Sequence, residues 1–544
     1  MTSDIPQWPE RKGFGISWMA VLVIVVGVGV GSFFYFKPPT KPDAPPVVKR
    51  PRPVPLAGWE TPALAFVLSG EMHGYIEPCG CTEGQVGGLM RRATLIKTIQ
   101  EEKKWPVIGL DNGGTMHSKR ITRKQTHMKF DFTRDALEQM GFVSVNVGPE
   151  EAYLRDGGLM EVREGDKLKP DFHLRLQSAN VSVYPGVPEL EDVLPKYQIH
   201  ETGGLKTAII SVMDPAIAPG LVPSEGVFEV TESAAAIAAL LPAIDKLTPD
   251  VYVLLSHSSL EKTQELVKQF PQFHLAVAAG GPEDPALEAT LTGNTMIVRT
   301  GQKGKNVGVV GLYPSAKPEG GFDLKYELVK LDGADFVDDK STRDLMIAYI
   351  NRLEVERPDL ADNRNPPPPP LRKDSVLGKN EEIAAEYVGA ETCGKCHTKA
   401  FAKWSTTGHA RAFTSLSKGR PGTEATWIDR KWDADCLSCH VVGWDAQNGT
   451  RYAGGFIDEM ETPHLAGQQC ENCHGPGSRH VDIELRNKSR EKVDIGELAT
   501  ERLLMKQTKA QAEQQLCSQC HDTDNSPHFN FKTYWEKVQH PGRD

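Results

Sequence analysis

Surplus positive charge is the first thing missing. The 544 residues hold 62 Lys and Arg against 72 Asp and Glu, a formal charge of −10, so the chain lacks the basic surface that nucleic-acid binders carry. Scattered cysteine is missing too. Eight of the ten cysteines fall in pairs within the last third, and the other two are Cys79 and Cys81. The first half shows no internal repeat. Charged residues at 25% and apolar residues at 39% are ordinary for a folded protein, and the length calls for two or three domains.

One stretch has no charge at all. Residues 14–36, FGISWMAVLVIVVGVGVGSFFYF, are long enough to cross a bilayer as one helix. The run is longer than a secretory signal and ends in FFYFKPP without a small-residue cleavage site, so it reads as an uncleaved anchor behind a short cytoplasmic tail, 1–13. Arg11 and Lys12 precede the span, while Lys37, Lys41, Lys49, Arg50 and Arg52 follow it. The positive-inside rule alone would place the long C-terminal part in the cytoplasm. The motifs described below demand the opposite side.

Residues 37–61 form a Pro-rich, basic linker, a stiff solvated spacer. A second break lies in 336–384, where a closing helix over 337–356 is followed by the unbroken run Pro366–Pro370, an extended arm. Between the breaks, 62–335 alternates β-branched runs with helical patterns. The strands expected are 63–70, 106–111, 142–148, 207–214, 251–257, 275–281, 294–301 and 307–313, and the helices 88–103, 129–140, 232–246 and 259–269. That alternation indicates an α/β layered fold. Residues 385–544 have few strand signals and read as short helices and irregular segments.

Those last residues carry four CxxCH motifs: Cys393–Cys396–His397, Cys436–Cys439–His440, Cys470–Cys473–His474 and Cys517–Cys520–His521. Two thiols three positions apart suit the two vinyl groups of one haem, and the next residue is then placed under the iron as proximal ligand. A zinc ribbon or a thioredoxin-like pair does not need histidine after every pair. The motifs therefore imply four covalent c-type haems. They also set the compartment, since such haems are attached outside the cytoplasmic membrane, on the periplasmic side. An electron-transfer role implies redox partner proteins.

Five further histidines lie nearby: His409, His464, His480, His528 and His540. A helix from His397 would carry His409 about 18 Å away, and the six residues from His474 to His480 span about 20 Å at full stretch. Each is thus expected to serve a haem other than its own neighbour. The strings YVGAETCGKCHTKAFAKWSTTGHARAF, CENCHGPGSRHV and FNFKTYWEKVQH resemble tetrahaem cytochromes of the c-554 type. That resemblance implies distal iron ligands at His409, His480 and His540, and a five-coordinate second haem at His440 that a small ligand can reach. His464 and His528 depart from the pattern. Either could close that site, or both are surface or haem-edge histidines.

The first domain resembles metallophosphoesterases of the 5′-nucleotidase type through LSGEMHG, GGLMRRATLIKTI, IGLDNGG, MGFVSVNVGPEE, VYVLLSHSS and TMIVRTGQKGKNVGVVGL. The resemblance implies a calcineurin-like two-sheet sandwich with two metals at the strand ends, where they polarise phosphate and activate water. The ligands are altered. The family's Asp-x-His is Glu71-Met72-His73, its Gly-Asp is Gly113-Gly114, its Gly-Asn-His-Glu is Gly148-Pro149-Glu150-Glu151, and its Gly-His-x-His is Gly280-Gly281-Pro282-Glu283-Asp284, while His257 survives. Glu71, Asp111, Glu150, Glu151 and Asp284 leave room for a single divalent ion on oxygen ligands. Cys79 and Cys81 suit a strained disulfide, or a soft ion with His73 as third ligand. The expectation is a membrane-anchored electron carrier on a phosphoesterase-like module that has lost hydrolysis. The alternatives are a redox enzyme for a nitrogen-oxide-type ligand and a working nucleotide hydrolase.

Overall fold

The computed structural model describes residues 54–78, 86–117, 120, 123–169, 171–217, 226–316, 321–362, 364–369, 385–419 and 427–540. The expected span 14–36 and the pair Cys79 and Cys81 lie outside them. Among the described residues no helix is long and apolar enough to cross a membrane. Residues Glu60–Asp544 form one compact unit, separate from Met1–Trp59.

Fourteen strands build the first part of that unit: β1 Leu64–Ser69, β2 Val107–Asp111, β3 Phe142–Asn146, β4 Arg175–Gln177, β5 Val181–Val183, β6 Tyr197–Thr202, β7 Leu205–Met213, β8 Phe228–Val230, β9 Val251–His257, β10 Leu275–Ala278, β11 Thr290–Thr292, β12 Thr295–Val298, β13 Asn306–Pro314 and β14 Phe322–Lys330. One six-stranded sheet runs β14-β13-β1-β2-β3-β4, the other β11-β12-β10-β9-β7-β6. The middle of each sheet is parallel, from β1 to β4 and from β7 to β12. Antiparallel strands close the β14 edge of the first sheet and both edges of the second, while parallel β4 ends the first.

Continuous apolar runs explain the centre. β1, LAFVLS, is buried at all six positions, as a strand covered on both faces should be. Phe66, Leu68, Ile108 and Leu110 from one sheet meet Val253, Leu255, Leu275 and Val277 from the other. The outer face of the second sheet packs on helices Ser233–Asp245 and Leu260–Gln269 through Ile237, Leu241, Ile244 and Leu266. All the expected strands and helices of this part are present. β4, β5, β6, β8, β11, β14 and the helix Arg155–Lys167 are additional; β14 and β6 are edge strands of mixed exposure, without the apolar run that marks β1.

The remainder, from Glu386 onward, is short helices joined by turns, with one two-stranded ribbon, Trp444–Asp445 with Thr450–Arg451. Its own apolar core is small, built from Phe413, Leu437, Val441, Val442, Trp444 and Phe456.

Candidate functional site

The parallel strands deliver their C-terminal ends to one edge of the sandwich, where α/β sheets place ligands. Glu71–Gly74 runs beside Gly113–Thr115, with the N–H groups of Glu71, His73 and Gly74 donating to the carbonyls of Gly113, Gly114 and Thr115 at 2.7, 2.8 and 2.8 Å. Glu71 and His73 both hold left-handed backbone, φ 49° each, a strained state for such side chains.

Glu71, Asp111 and Glu151 at this edge are taken up by hydrogen bonds, while Glu150 keeps its buried Oε2 without a partner. Glu151 is fully buried. It accepts the N–H groups of Gly114, Thr115 and Gly148 at 3.0, 2.8 and 3.0 Å and the Thr115 hydroxyl at 2.5 Å. Burial and the neighbouring Glu150 raise its carboxyl above the ordinary value. Glu71 accepts the Gly280 N–H at 3.0 Å. Asp111 accepts Ser69 Oγ and, at 2.9 Å, the Gly113 N–H. His257 Nδ1 lies 2.7 Å from the Asn112 carbonyl. His73 Nδ1 lies 3.3 Å from Glu150. Burial lowers this imidazole, but the bond to Glu150 and the charges of Glu150, Glu71 and Glu151 outweigh it and hold it above the usual value.

Where the resemblance expects a bridging carboxylate stands Gly114, φ 73°. A Cβ here would lie 3.1 Å from Glu71 Cα and 3.2 Å from His257 Cε1. Asp284 is exposed, and Glu283 is held by Lys303 at 2.7 Å and by Lys305. Among the described residues, no three His, Cys, Asp or Glu side chains converge as a metal ion requires.

The second half does converge, in pairs of imidazoles. His397 faces His480 with ring centres 6.3 Å apart, His521 faces His409 at 6.1 Å, and His474 faces His540 at 5.9 Å. Two imidazoles bound through nitrogen to one metal at about 2 Å each have centres about 6 Å apart. Each pair joins one CxxCH histidine to one from outside the motifs, and neither His409 nor His480 pairs with the motif nearest in sequence. The buried Nδ1 of His480 has no hydrogen-bond partner. Three motif histidines are held through Nδ1 as metal-bound histidine usually is: Nδ1 of His440 lies 2.6 Å from the Ala412 carbonyl, that of His474 2.6 Å from the Met505 carbonyl, and that of His521 3.1 Å from Ser526 Oγ. Phe529 stacks on His521 at 4.6 Å. Thiols from different motifs also approach in two couples, Cys393 with Cys470 and Cys439 with Cys520. His464 and His528 are exposed. These donor sets fit covalently attached haem.

Residues 392–475 match the family of cytochrome c554 and c-prime. Cytochrome c-554 of Nitrosomonas europaea is 29% identical over 154 residues, 27% of this chain and 63% of that protein. The sandwich lies within a likeness to solved phosphoesterases. A 5′-nucleotidase precursor from Thermus thermophilus shares 17% identity with TM-score 0.46, over 54% of this chain and 59% of that one. The sulfate thiohydrolase SoxB of the same organism shares 16% with TM-score 0.44, over 57% and 63%. The calcineurin-like phosphoesterase YfkN of Bacillus subtilis shares 16% with TM-score 0.42, over 54% and 98%. The chain thus spans about three fifths of the cytochrome, the nucleotidase and the thiohydrolase.

The c554-type region docks on the strand-end edge of the sandwich. Asp435 meets Arg120 and, at 2.6 Å, Lys129. Asp433 accepts the Gln125 side-chain amide at 2.6 Å. Asp524 accepts Lys303 at 2.6 Å and the Tyr75 hydroxyl at 2.7 Å, and Arg430 meets Glu77. Tyr75 and Glu77 belong to EMHGYIEPCGC, so the described part of that stretch is an interdomain contact. None of these partners is marked by spacing or motif. The only sequence signal is a charged residue beside a motif, as Asp435 is beside Cys436.

Proposed function

We propose that this chain is an inner-membrane-anchored, periplasm-facing electron-transfer protein carrying four c-type haems, with the phosphoesterase-like sandwich as its scaffold. The observation that carries the reading is the set of three facing imidazole pairs at 5.9–6.3 Å, each built from one motif histidine and one outlying histidine. In this reading Cys393, Cys396, Cys436, Cys439, Cys470, Cys473, Cys517 and Cys520 hold the haems as thioethers. His397, His440, His474 and His521 are proximal ligands, and His480, His540 and His409 are the distal ligands opposite His397, His474 and His521. Bound haem supplies an iron that cycles between ferric and ferrous states. The protein's part would be to hold the imidazoles of each facing pair in place beforehand, so that little in the chain moves on reduction. Mass spectrometry of the denatured, haem-matured chain tests the load: four haem masses are expected, and a lower count rejects the reading. A reporter fused after residue 56 should work only when exported; activity of a cytoplasm-only reporter there reverses the orientation.

The second reading is a redox enzyme that binds a small nitrogen-oxide-type ligand at the second haem. The commitment of His409, His480 and His540 to the other three motifs favours it, as does the exposure of His464 and His528. A high-spin signal from one haem in four that responds to nitric oxide supports this reading, and four unresponsive low-spin haems remove it. For the sandwich, the hydrogen-bonded state of Glu71, Asp111 and Glu151 supports a scaffold without hydrolase activity. Phosphate release from nucleotides with Mn²⁺ or Zn²⁺, near the usual enzyme range of about 1–10³ s⁻¹, would overturn that part.

A further inference from the structure

The contacts between the two halves are not spread evenly over the four motifs. Asp435 immediately precedes Cys436, and Asp433 caps the helix Ala434–His440, accepting the Asp435 N–H at 2.9 Å. Both take partners from the helix Lys124–Gln139 or its approach: Gln125, Lys129 and Arg120. Asp524 lies three residues past His521 and takes Lys303. The segment after the second motif reaches the fourth, where the Gln447 side-chain amide donates to the Gln519 carbonyl at 2.6 Å. The sandwich therefore places Arg120, Lys129 and Lys303 at the end of the haem region that holds these two motifs.

Burial makes those charges count. The side chains of Arg120 and Lys129 are only 11% and 14% exposed. Burial lowers Lys129, but the Asp435 carboxylate more than reverses it and the ammonium stays charged. Charges withdrawn from water act on a neighbouring group far more strongly than solvated ones. A cation beside an iron favours its acquiring an electron, and an anion opposes it.

We propose that Lys129 and Arg120 are positioning residues for the second haem: by clamping Asp435 they fix the first turn of the helix that carries Cys436, Cys439 and His440, and they set the field in which that iron takes up its electron. The inference rests on the tetrahaem reading, and it gives the sandwich a task other than hydrolysis. The step is a one-electron reduction of ferric to ferrous iron by an external reductant, with no bond made or broken.

The full, haem-matured chain is the material for the test. A haem count below four rejects the tetrahaem reading itself. With four present, redox titration compares Lys129→Met with Asp435→Asn, the second haem being assigned by its absence in a Cys436→Ser/Cys439→Ser variant. Lys129→Met should disfavour reduction of the second haem about threefold, ~28 mV at 59 mV per tenfold for one electron. Asp435→Asn should favour it by a similar factor, and the haems of His397 and His474 should stay put. Both substitutions break the same ion pair, so a merely structural role predicts shifts of the same sign. Shifts of one sign, equal shifts in all four haems, or no shift overturns the proposal. If Lys129→Met fails to fold, Lys129→Arg must keep the parental potential while Asp435→Asn still raises it; a failure of either rejects the proposal.

Discussion

Lys129 Nζ and Asp435 Oδ2 meet at 2.6 Å although 306 residues separate them in the chain. This pair ties the sandwich to the second haem motif, and Arg120 joins it from the same side. Burial alone would raise the Asp435 carboxyl, but Lys129 and Arg120 hold it well below the usual carboxylate range.

Asp435→Ala should therefore loosen the docking. Removing one partner of a fully buried pair costs about 3–5 kcal/mol. Asp435 is one-third exposed, so screening reduces this to about 1–3 kcal/mol. The expected result is a lower urea midpoint and faster proteolysis between the two halves, in the proline segment 364–369. An unchanged midpoint would mean that the contact contributes nothing to stability.

His117 gives the same interface an acid limit. Burial and the charge of Arg120 push its imidazole down to about 4. The unfolded chain binds that proton near its ordinary value of 6.5, so between these values the unfolded state holds more protons and stability falls as pH falls. The contribution is complete above about pH 6.5 and lost toward pH 4. A His117→Gln variant should show a flatter stability curve across this window, measured by urea unfolding at several pH values. A parental slope would place the effect elsewhere.

Distal histidines should report on distant haems. His409→Ala is expected to turn the haem held by His521 high-spin and to spare the one at His397, twelve residues away. His480→Ala should act on the haem at His397 and spare that at His474. Electron paramagnetic resonance of each variant, compared with the matching motif deletion, reads out the assignment. A local effect in either case would contradict the facing pairs.

Glu151 should behave as a structural carboxylate. Glu151→Ala leaves three N–H groups and the Thr115 hydroxyl without their acceptor, at a cost of about 3 kcal/mol or more. Glu151→Gln keeps one acceptor oxygen and should cost about 1 kcal/mol. Equal effects would mean that the network is not what holds this edge together.

Much of this organisation is written locally and some of it is not. Strands such as LAFVLS are apolar because both faces are covered, and that is visible in one dimension. β14, FDLKYELVK, lies on an edge with mixed exposure, and β4, β5 and β8 are three residues each, too short to carry a period. The haem motifs are legible because thioether chemistry fixes their spacing. Reach alone points His409 and His480 toward other motifs, but which ones they face depends on how short helices fold back on each other. The carboxylates at the sandwich edge read as open metal ligands, because sequence lists their oxygens and cannot count the backbone N–H groups aimed at them. Lys129 with Asp435 leaves only the faint mark of an aspartate beside Cys436, since a single lysine and a single aspartate have no period or motif.

Gly113 and Gly114 also bear on any attempt to place a carboxylate at this edge of the sandwich. A side chain at 113 would meet the Asn146 carbonyl at 2.5 Å, and one at 114 would press on Glu71 and His257, both from backbone that disfavours anything but glycine. A single Gly114→Asp change would be strained before it met any ion. The loops bearing Glu71 and His257 would have to move first. The two glycines act as a ratchet: a carboxylate at either position needs several concerted substitutions, and each step by itself weakens the edge on which the c554-type half rests.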